Sequence, residues 1–208
     1  VHGVVMEDVP FDTYLGDVIS ADGKNSLKLK KRIAKGLGII SQIVNLLNYI
    51  SLGEFYIEMV ILLRESMFIN GILTNAEIWY NLTKEEIKEL ENLDLTLLRK
   101  VLRVPFSTPS EAYFLELGIM SIETIIKKRR INYLHYLLKR KEDEMLYTFF
   151  VTQLYNPTHG DWTEQVKVDC ADFRIPFNLE YMQGKSTESF KKMVKTKAEE
   201  YSLDKFCE

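Results

Sequence analysis

The residues best suited to chemistry are cations, and they come in two blocks. Residues 24–53 carry Lys24, Lys28, Lys30, Lys31, Arg32 and Lys35 without one acid, a net +6. Residues 124–141 carry Lys127, Lys128, Arg129, Arg130, Lys139, Arg140 and Lys141, again acid-free, a net +7. The remainder holds 14 basic residues and all 30 acids, so an overall charge of −3 conceals a sharp segregation. At about 100° per residue, Lys28, Lys31, Arg32 and Lys35 share one side of a helix, with Ile33, Leu37, Ile40 and Val44 roughly opposite. One sign of charge at helix-face spacing suits a sugar–phosphate backbone, whereas a face built for solubility interleaves both signs. A solvated basic face is the plainer reading of this segment; the acidic surround favours a placed contact over diffuse binding. In the second block Lys127-Lys128-Arg129-Arg130 spans a full turn, so the four charges cannot all meet one ligand and some must snorkel. Tyr133, His135 and Tyr136 offer rings for base stacking, although aromatics at this spacing more often line a core.

Other chemistries find little support. Two-metal catalysis needs carboxylates converging on ions about 4 Å apart, and the chain has no Asp-Asp dyad and no strand with paired acids. Most acids sit among lysines, as in Lys84-Glu85-Glu86 and Lys88-Glu89-Leu90-Glu91, where pairing one helical turn apart explains them. Asp17 is a lone carboxylate beside a strand. His2, His135 and His159 with Cys170 and Cys207 lack zinc-ligand spacing. A Cys170–His159 pair has no Gly-rich turn or orienting motif around it, and no P-loop or GxGxxG is present. No active site, metal or cofactor is expected of this chain by itself.

The elements that must position the cations are mainly helical. The chain has 208 residues, 46% hydrophobic and 27% charged, enough for a sizeable core without disulfides or metal. No apolar run approaches the ~18 residues a membrane span requires, and two cysteines suit a reduced intracellular protein. The chain opens Val-His-Gly, without Met or signal peptide, and reads as a piece of something longer. Residues 11–104 contain no proline, which favours long helices. Val4 to Met6 and Tyr14 to Ser20, with a turn signal at Ala21-Asp22-Gly23-Lys24, predict one or two strands within residues 1–22. Helical spacing predicts a helix over 25–49 with the stripe Ile33, Leu37, Ile40, Val44 and Leu47. A second spans 54–80, with Gly71 the place for a kink or break. Thr83-Lys84-Glu85-Glu86 is a capping box opening a third helix that Val104-Pro105 stops. A short helix begins with Thr108 as cap and Pro109 at its first position and closes at Gly118. Ser121 caps a helix over 122–141, and others follow at 143–155, 161–173 and 188–206.

One resemblance runs over most of the chain. Phe11-Asp12-Thr13-Tyr14-Leu15-Gly16-Asp17-Val18-Ile19, followed by Asp22-Gly23, resembles the YLG segment of reverse transcriptases of non-LTR (LINE-type) retrotransposons. Leu73-Thr74-Asn75-Ala76-Glu77-Ile78-Trp79-Tyr80 is similar to the region that follows it there. So is the stretch from Glu116-Leu117-Gly118-Ile119 through Ile125-Ile126-Lys127-Lys128-Arg129-Arg130-Ile131-Asn132-Tyr133-Leu134. The resemblance implies a primer grip at Tyr14, Leu15 and Gly16, and then a thumb and a connector. It places Lys28, Lys31, Arg32 and Lys35 on the template–primer backbone, a transfer that rests on helix position rather than on a family motif. The family's catalytic ADD strand, its endonuclease and its cysteine-rich region have no counterpart here, so Mg²⁺ belongs to a palm outside this sequence.

The resulting expectation is a multi-helix, thumb-like bundle with a short N-terminal hairpin or strand pair. Its divisions are a grip-like segment over 1–22, a thumb over 23–104, a connector over 105–156 and a helical extension over 157–208. Its function would be to position an RNA/DNA template–primer for reverse transcription, without catalysis of its own. The expected nucleic-acid contacts are Lys28, Lys31, Arg32 and Lys35 with Lys127, Lys128, Arg129 and Arg130. Its partners would be template–primer and the rest of the polymerase, with no membrane, and its place of action the nucleus. The competing expectation is an all-helical interaction or scaffold module derived from a transposon remnant, its basic segments docking acidic protein surfaces, the chain's own acidic half included. A complete enzyme is the third.

Overall fold

A computed structural model describes residues 11–14, 17–20, 25–50, 53–140, 144–158 and 160–207. The chain is mainly helical. Two short segments, β1 (Phe11–Tyr14) and β2 (Asp17–Ser20), pair antiparallel with Phe11 opposite Ser20 and Tyr14 opposite Asp17. β2 lies against α1 (Ser26–Tyr49). Leu15, Gly16, the strand expected at Val4 to Met6 and the turn at 21–24 fall outside the described residues.

The helix α1 ends where the periodicity predicts, but its buried face is rotated from the expected stripe, keeping Ile40 and Leu47 and giving up Leu37. The buried line is Leu29, Arg32, Gly36, Ile40, Ile43 and Leu47, while Leu37 of the expected stripe is 49% exposed and Ile33 and Val44 are partly covered. Gly36 is the reason. A Cβ there would meet Leu93 Cδ2 at 2.5 Å and Ile72 Cγ2 at 3.0 Å, so the missing side chain sets where α1 comes closest to its neighbours. Turning Gly36 inward carries Arg32, one turn earlier, inward with it.

The second helix also departs from expectation. It runs as α2 (Tyr56–Leu63), a widened π-helical segment (Arg64–Ile69) and one last turn, α3 (Asn70–Ile72), and it ends there rather than near residue 80. Gly71 stays helical: its bare backbone admits Ile39 of α1, so close packing rather than a break explains it. The helix stops at a polar pair. Thr74 Oγ1 bonds back to the Asn70 carbonyl at 2.9 Å, and Asn75 adopts a left-handed φ of 59°. A 3₁₀ turn (Ala76–Ile78) then leads to α4 (Lys84–Leu102).

Local signals are realised almost to the residue. Thr83 Oγ1 accepts from the Glu86 amide at 3.1 Å and Glu86 Oε2 accepts from the Thr83 amide at 2.9 Å, a complete capping box. Gly118, φ +60°, closes α5 (Ser110–Leu117), although Pro109 stands at the cap rather than inside the helix. Ser121 caps α6 (Ile122–Leu138), three residues shorter than expected. Asp161 caps α8 (Trp162–Asp172) through the Glu164 amide at 2.8 Å; α7 (Met145–Tyr155) precedes it. A short α9 (Leu179–Gly184), absent from the sequence reading, is capped by Asn178 before α10 (Thr187–Cys207).

α6 is the spine. Ile122, Ile125 and Ile126 sit in a core made with α1, α2, α3 and α4; Ile131, Leu134, Leu137 and Leu138 sit in a second core with α7, α8, α9 and α10. A smaller cluster joins Leu95 and Leu98 to Tyr113 and Phe114, whose ring stacks on Phe206 at 5.0 Å. Because a Cβ at Gly36 would force buried Leu93 to shift and press on Ile72, Gly36→Ala should lose about 1–3 kcal/mol of stability relative to Gly38→Ala. Gly38 faces open space, and there the same change should gain up to about 1 kcal/mol from helix propensity. Urea denaturation of the two variants measures the difference.

Candidate functional site

The first basic block is split by the fold. Lys30, Lys31 and Lys35 are exposed along α1, and Lys28 is half-buried with its ammonium 5.7 Å over the Trp79 ring. Arg32 is only 6% exposed, and its Nη2 donates to the Thr74 carbonyl at 3.3 Å. Arg32 is therefore corrected from a backbone contact to an internal one. The surface face keeps Lys28, Lys31 and Lys35, with Lys30 beside them.

The second block is corrected more thoroughly. Lys127 is buried, 2.7 Å from both Glu123 and Asp172, and donates to the Tyr201 hydroxyl at 2.9 Å. Burial opposes its charge, but those partners outweigh it and hold the ammonium above its ordinary range. Arg130 is buried as well, gripping Asp169 with Nε at 2.5 Å and Nη2 at 2.9 Å while Nη1 reaches the Trp79 carbonyl at 2.9 Å. Arg129 donates to the Leu73 carbonyl at 2.5 Å and to Asn70 Oδ1 at 2.8 Å. Lys128, half-buried, has only a 3.6 Å contact to the Met120 thioether. Four consecutive cations on a central helix thus meet four different environments, and none forms a shared outward face.

Two acids of the segment after Pro157 take up much of this charge. Asp169 and Asp172, three apart on α8, face Arg130 and Lys127, three apart on α6. That matched spacing was visible in the sequence. A third buried pair was missed: Arg64 binds Asp94 through Nε at 2.9 Å and Nη2 at 2.5 Å, and Nη2 also reaches the Met120 carbonyl at 2.9 Å. Its signal was charge set among apolar residues of each helix, Arg64 with Glu65 in the first and Asp94 between Leu93 and Leu95 in the second.

The rings are mostly structural too. His135 is buried, stacked on Phe190 at 4.2 Å with Nε2 3.2 Å from the Lys185 carbonyl. Tyr133 lies edge-on to Trp162 at 5.8 Å. Tyr136 is partly exposed, under the Arg140 guanidinium at 4.2 Å. Cys170 is fully buried; burial, and then Asp169, push its thiol up to about 12, which leaves it inert as a nucleophile. His159 lies outside the described residues.

Among the described residues no three His, Cys, Asp or Glu side chains converge to hold a metal ion, and no helix is long and apolar enough to cross a membrane. Comparison with protein-family models, curated proteins and solved structures finds no match to this chain.

Arg130→Met leaves Asp169 buried and unpaired, and should cost about 3–5 kcal/mol in denaturant unfolding. Lys31→Gln, on the surface, should stay within about 0.5 kcal/mol. Glu123 supplies a pH test. Burial would raise its carboxyl, but bonds from Lys127 and Lys205 prevail and hold it below the usual carboxylate range. Its stabilising contribution is present above the unfolded value of about 4.3 and fades as pH falls through the lower folded value. Glu123→Gln should therefore be less stable than the parent near neutrality and converge with it in acid.

Proposed function

We propose that this chain is the nucleic-acid-binding thumb and connector of a LINE-type RNA-directed DNA polymerase. In this reading it positions an RNA/DNA template–primer for a palm that supplies the catalytic aspartates and Mg²⁺. The observation that carries the reading is the cationic face of α1 beside the β1–β2 ladder. Lys28, Lys30 and Lys31 lie in the first turns of α1, whose opening turn has no acid. The positive end of a helix attracts anions, and lysines gathered there add to that attraction for a ligand arriving from outside. Lys28, Lys31 and Lys35 share the side that a phosphate backbone would track, and the grip residues implied by the resemblance, Tyr14, Leu15 and Gly16, would meet the primer end.

A second feature supports the reading. The two stretches similar to the polymerase family, around 73–80 and 116–134, are bonded to one another here, through Arg129 to Leu73 and Arg130 to Trp79. In this assignment the connector's arginines hold the thumb's last turn, so that the cationic face is presented on a rigid support. Action in the nucleus follows only if the parent element works on chromosomal DNA. The competing reading, an interaction module, draws on Asp169 and Asp172, since there a basic segment does dock the chain's own acids.

With three phosphate contacts, binding to an RNA–DNA hybrid should weaken with salt at a log–log slope of about −2 to −3. Fluorescence anisotropy on the full chain measures it. The triple change of Lys28, Lys31 and Lys35 to Gln should remove most of that slope while circular dichroism stays unchanged. Binding that ignores salt, or a folded chain that does not bind the hybrid at all, refutes the thumb assignment and leaves the interaction module.

A further inference from the structure

Lys128 is the one cation of the 127–130 run with neither an ion pair nor an oxygen acceptor among the described residues. Its neighbours in sequence reach Asp172, Glu123, Asp169 or backbone carbonyls, whereas Lys128 is half-buried against the Met120 sulfur and makes no ion pair among the described residues. An ammonium half withdrawn from water without an ion pair is costly, and the carboxylates of Glu65 and Glu199 line the Lys128 cleft without forming one. That cleft, of about 630 Å³, lies between the π-helical segment, α6 and α10. Ile69, Ile119 and Ile125 supply apolar walls, and Ser66 and Asn70 add polar edges. Arg129 and Lys195 line the same cleft, with Glu65 and Glu199 also on its walls. Arg64 is neutralised beneath it by Asp94. The π-helical segment contributes both parts of this arrangement. It sends Arg64 inward to Asp94 and brings Glu65, Ser66 and Ile69 to the cleft; such widened turns recur at functional sites.

We propose that this cleft binds a small organic anion, a carboxylate or phosphate carried on a short apolar body, with Lys128 pairing the head and Arg129 and Lys195 adding positive charge. The volume is that of an ordinary small-molecule site. Among the described residues Lys195 is held only by a 3.8 Å exposed contact to Glu199, which a better-placed anion can replace. Burial, and then repulsion from Arg129 and Lys195, hold the Lys128 ammonium below its usual range against the pull of Glu65 and Glu199. A bound anion opposes that shift. The site is separate from the α1 face and stands or falls independently of the thumb assignment.

The test titrates hexyl phosphate and hexanoate into the full chain at low salt by calorimetry, with hexanol as the uncharged control. Saturable binding of either anion, and none of hexanol, is expected; the stronger of the two identifies the head group. Lys128→Met should weaken binding about tenfold or more, while hybrid binding by the same variant stays unchanged. Wild-type protein carrying ¹³C-methylated lysines provides the second readout: the Lys128 resonance should titrate at higher pH once ligand is bound. Equal binding of hexanol, no saturation by either anion, or a Lys128 titration indifferent to ligand overturns the proposal.

Discussion

The fold depends on satisfying one turn. Between α3 and α4 the chain leaves helical geometry inside the protein, where Leu73, Ala76 and Trp79 are essentially without solvent. Buried carbonyls that lose their helical partners need others. Five side chains provide them: Arg129 for Leu73, Arg32 for Thr74, Trp162 for Glu77, Arg130 for Trp79 and Asn25 for Tyr80. They come from the start of α1, from α6 and from α8, so the bonds that satisfy the turn also fix these helices relative to one another. Losing Arg130 would leave the carbonyl of buried Trp79 without that donor and loosen α6 at the same time, whereas the Leu73 carbonyl also accepts from the Ala76 amide at 3.1 Å.

This arrangement explains why so much positive charge is internal. An arginine can bind a carboxylate and a carbonyl together through its planar fork of donors. Arg130 does so between Asp169 and Trp79, and Arg64 does so between Asp94 and Met120. Each joins three pieces of chain that are far apart in sequence. Leucine in either place would fill the volume but leave the carbonyl unpaired. Lys127 plays the same part with Glu123, Asp172 and Tyr201, tying α6 to α8 and α10.

What could be read from the sequence was what is local. Thr83 with Glu86, Ser121, Asp161 and Gly118 announce their helix ends because each acts on backbone within a few residues. The face of α1 was read partly rotated because amphipathic spacing weighs Leu37 by its own hydrophobicity. It cannot know that Leu93 and Ile72 need the space above Gly36. The partners of Arg64 and Arg130 lie 30 and 39 residues away, on helices whose relative rotation is a tertiary fact. The widened turn at 64–69 had no local marker at all. It became visible only through its consequence, a buried Arg64 and a cleft beside it.

Charge density along a sequence is therefore a poor guide to an interface until each donor has been followed to its acceptor. The two basic blocks looked alike in composition, and the second was the denser. In the fold the denser block is the more internal one, because α6 is covered on both sides and its cations are answered by acids that the sequence places elsewhere. α1 is covered on one side only, so most of its lysines remain at the surface, at a helix end where the dipole works against them. Lys128 falls between these cases, drawn partly out of water like its neighbours yet in no ion pair among the described residues. Followed in this way, the cations separate into those buried where they hold helices together and those that stay within reach of solvent.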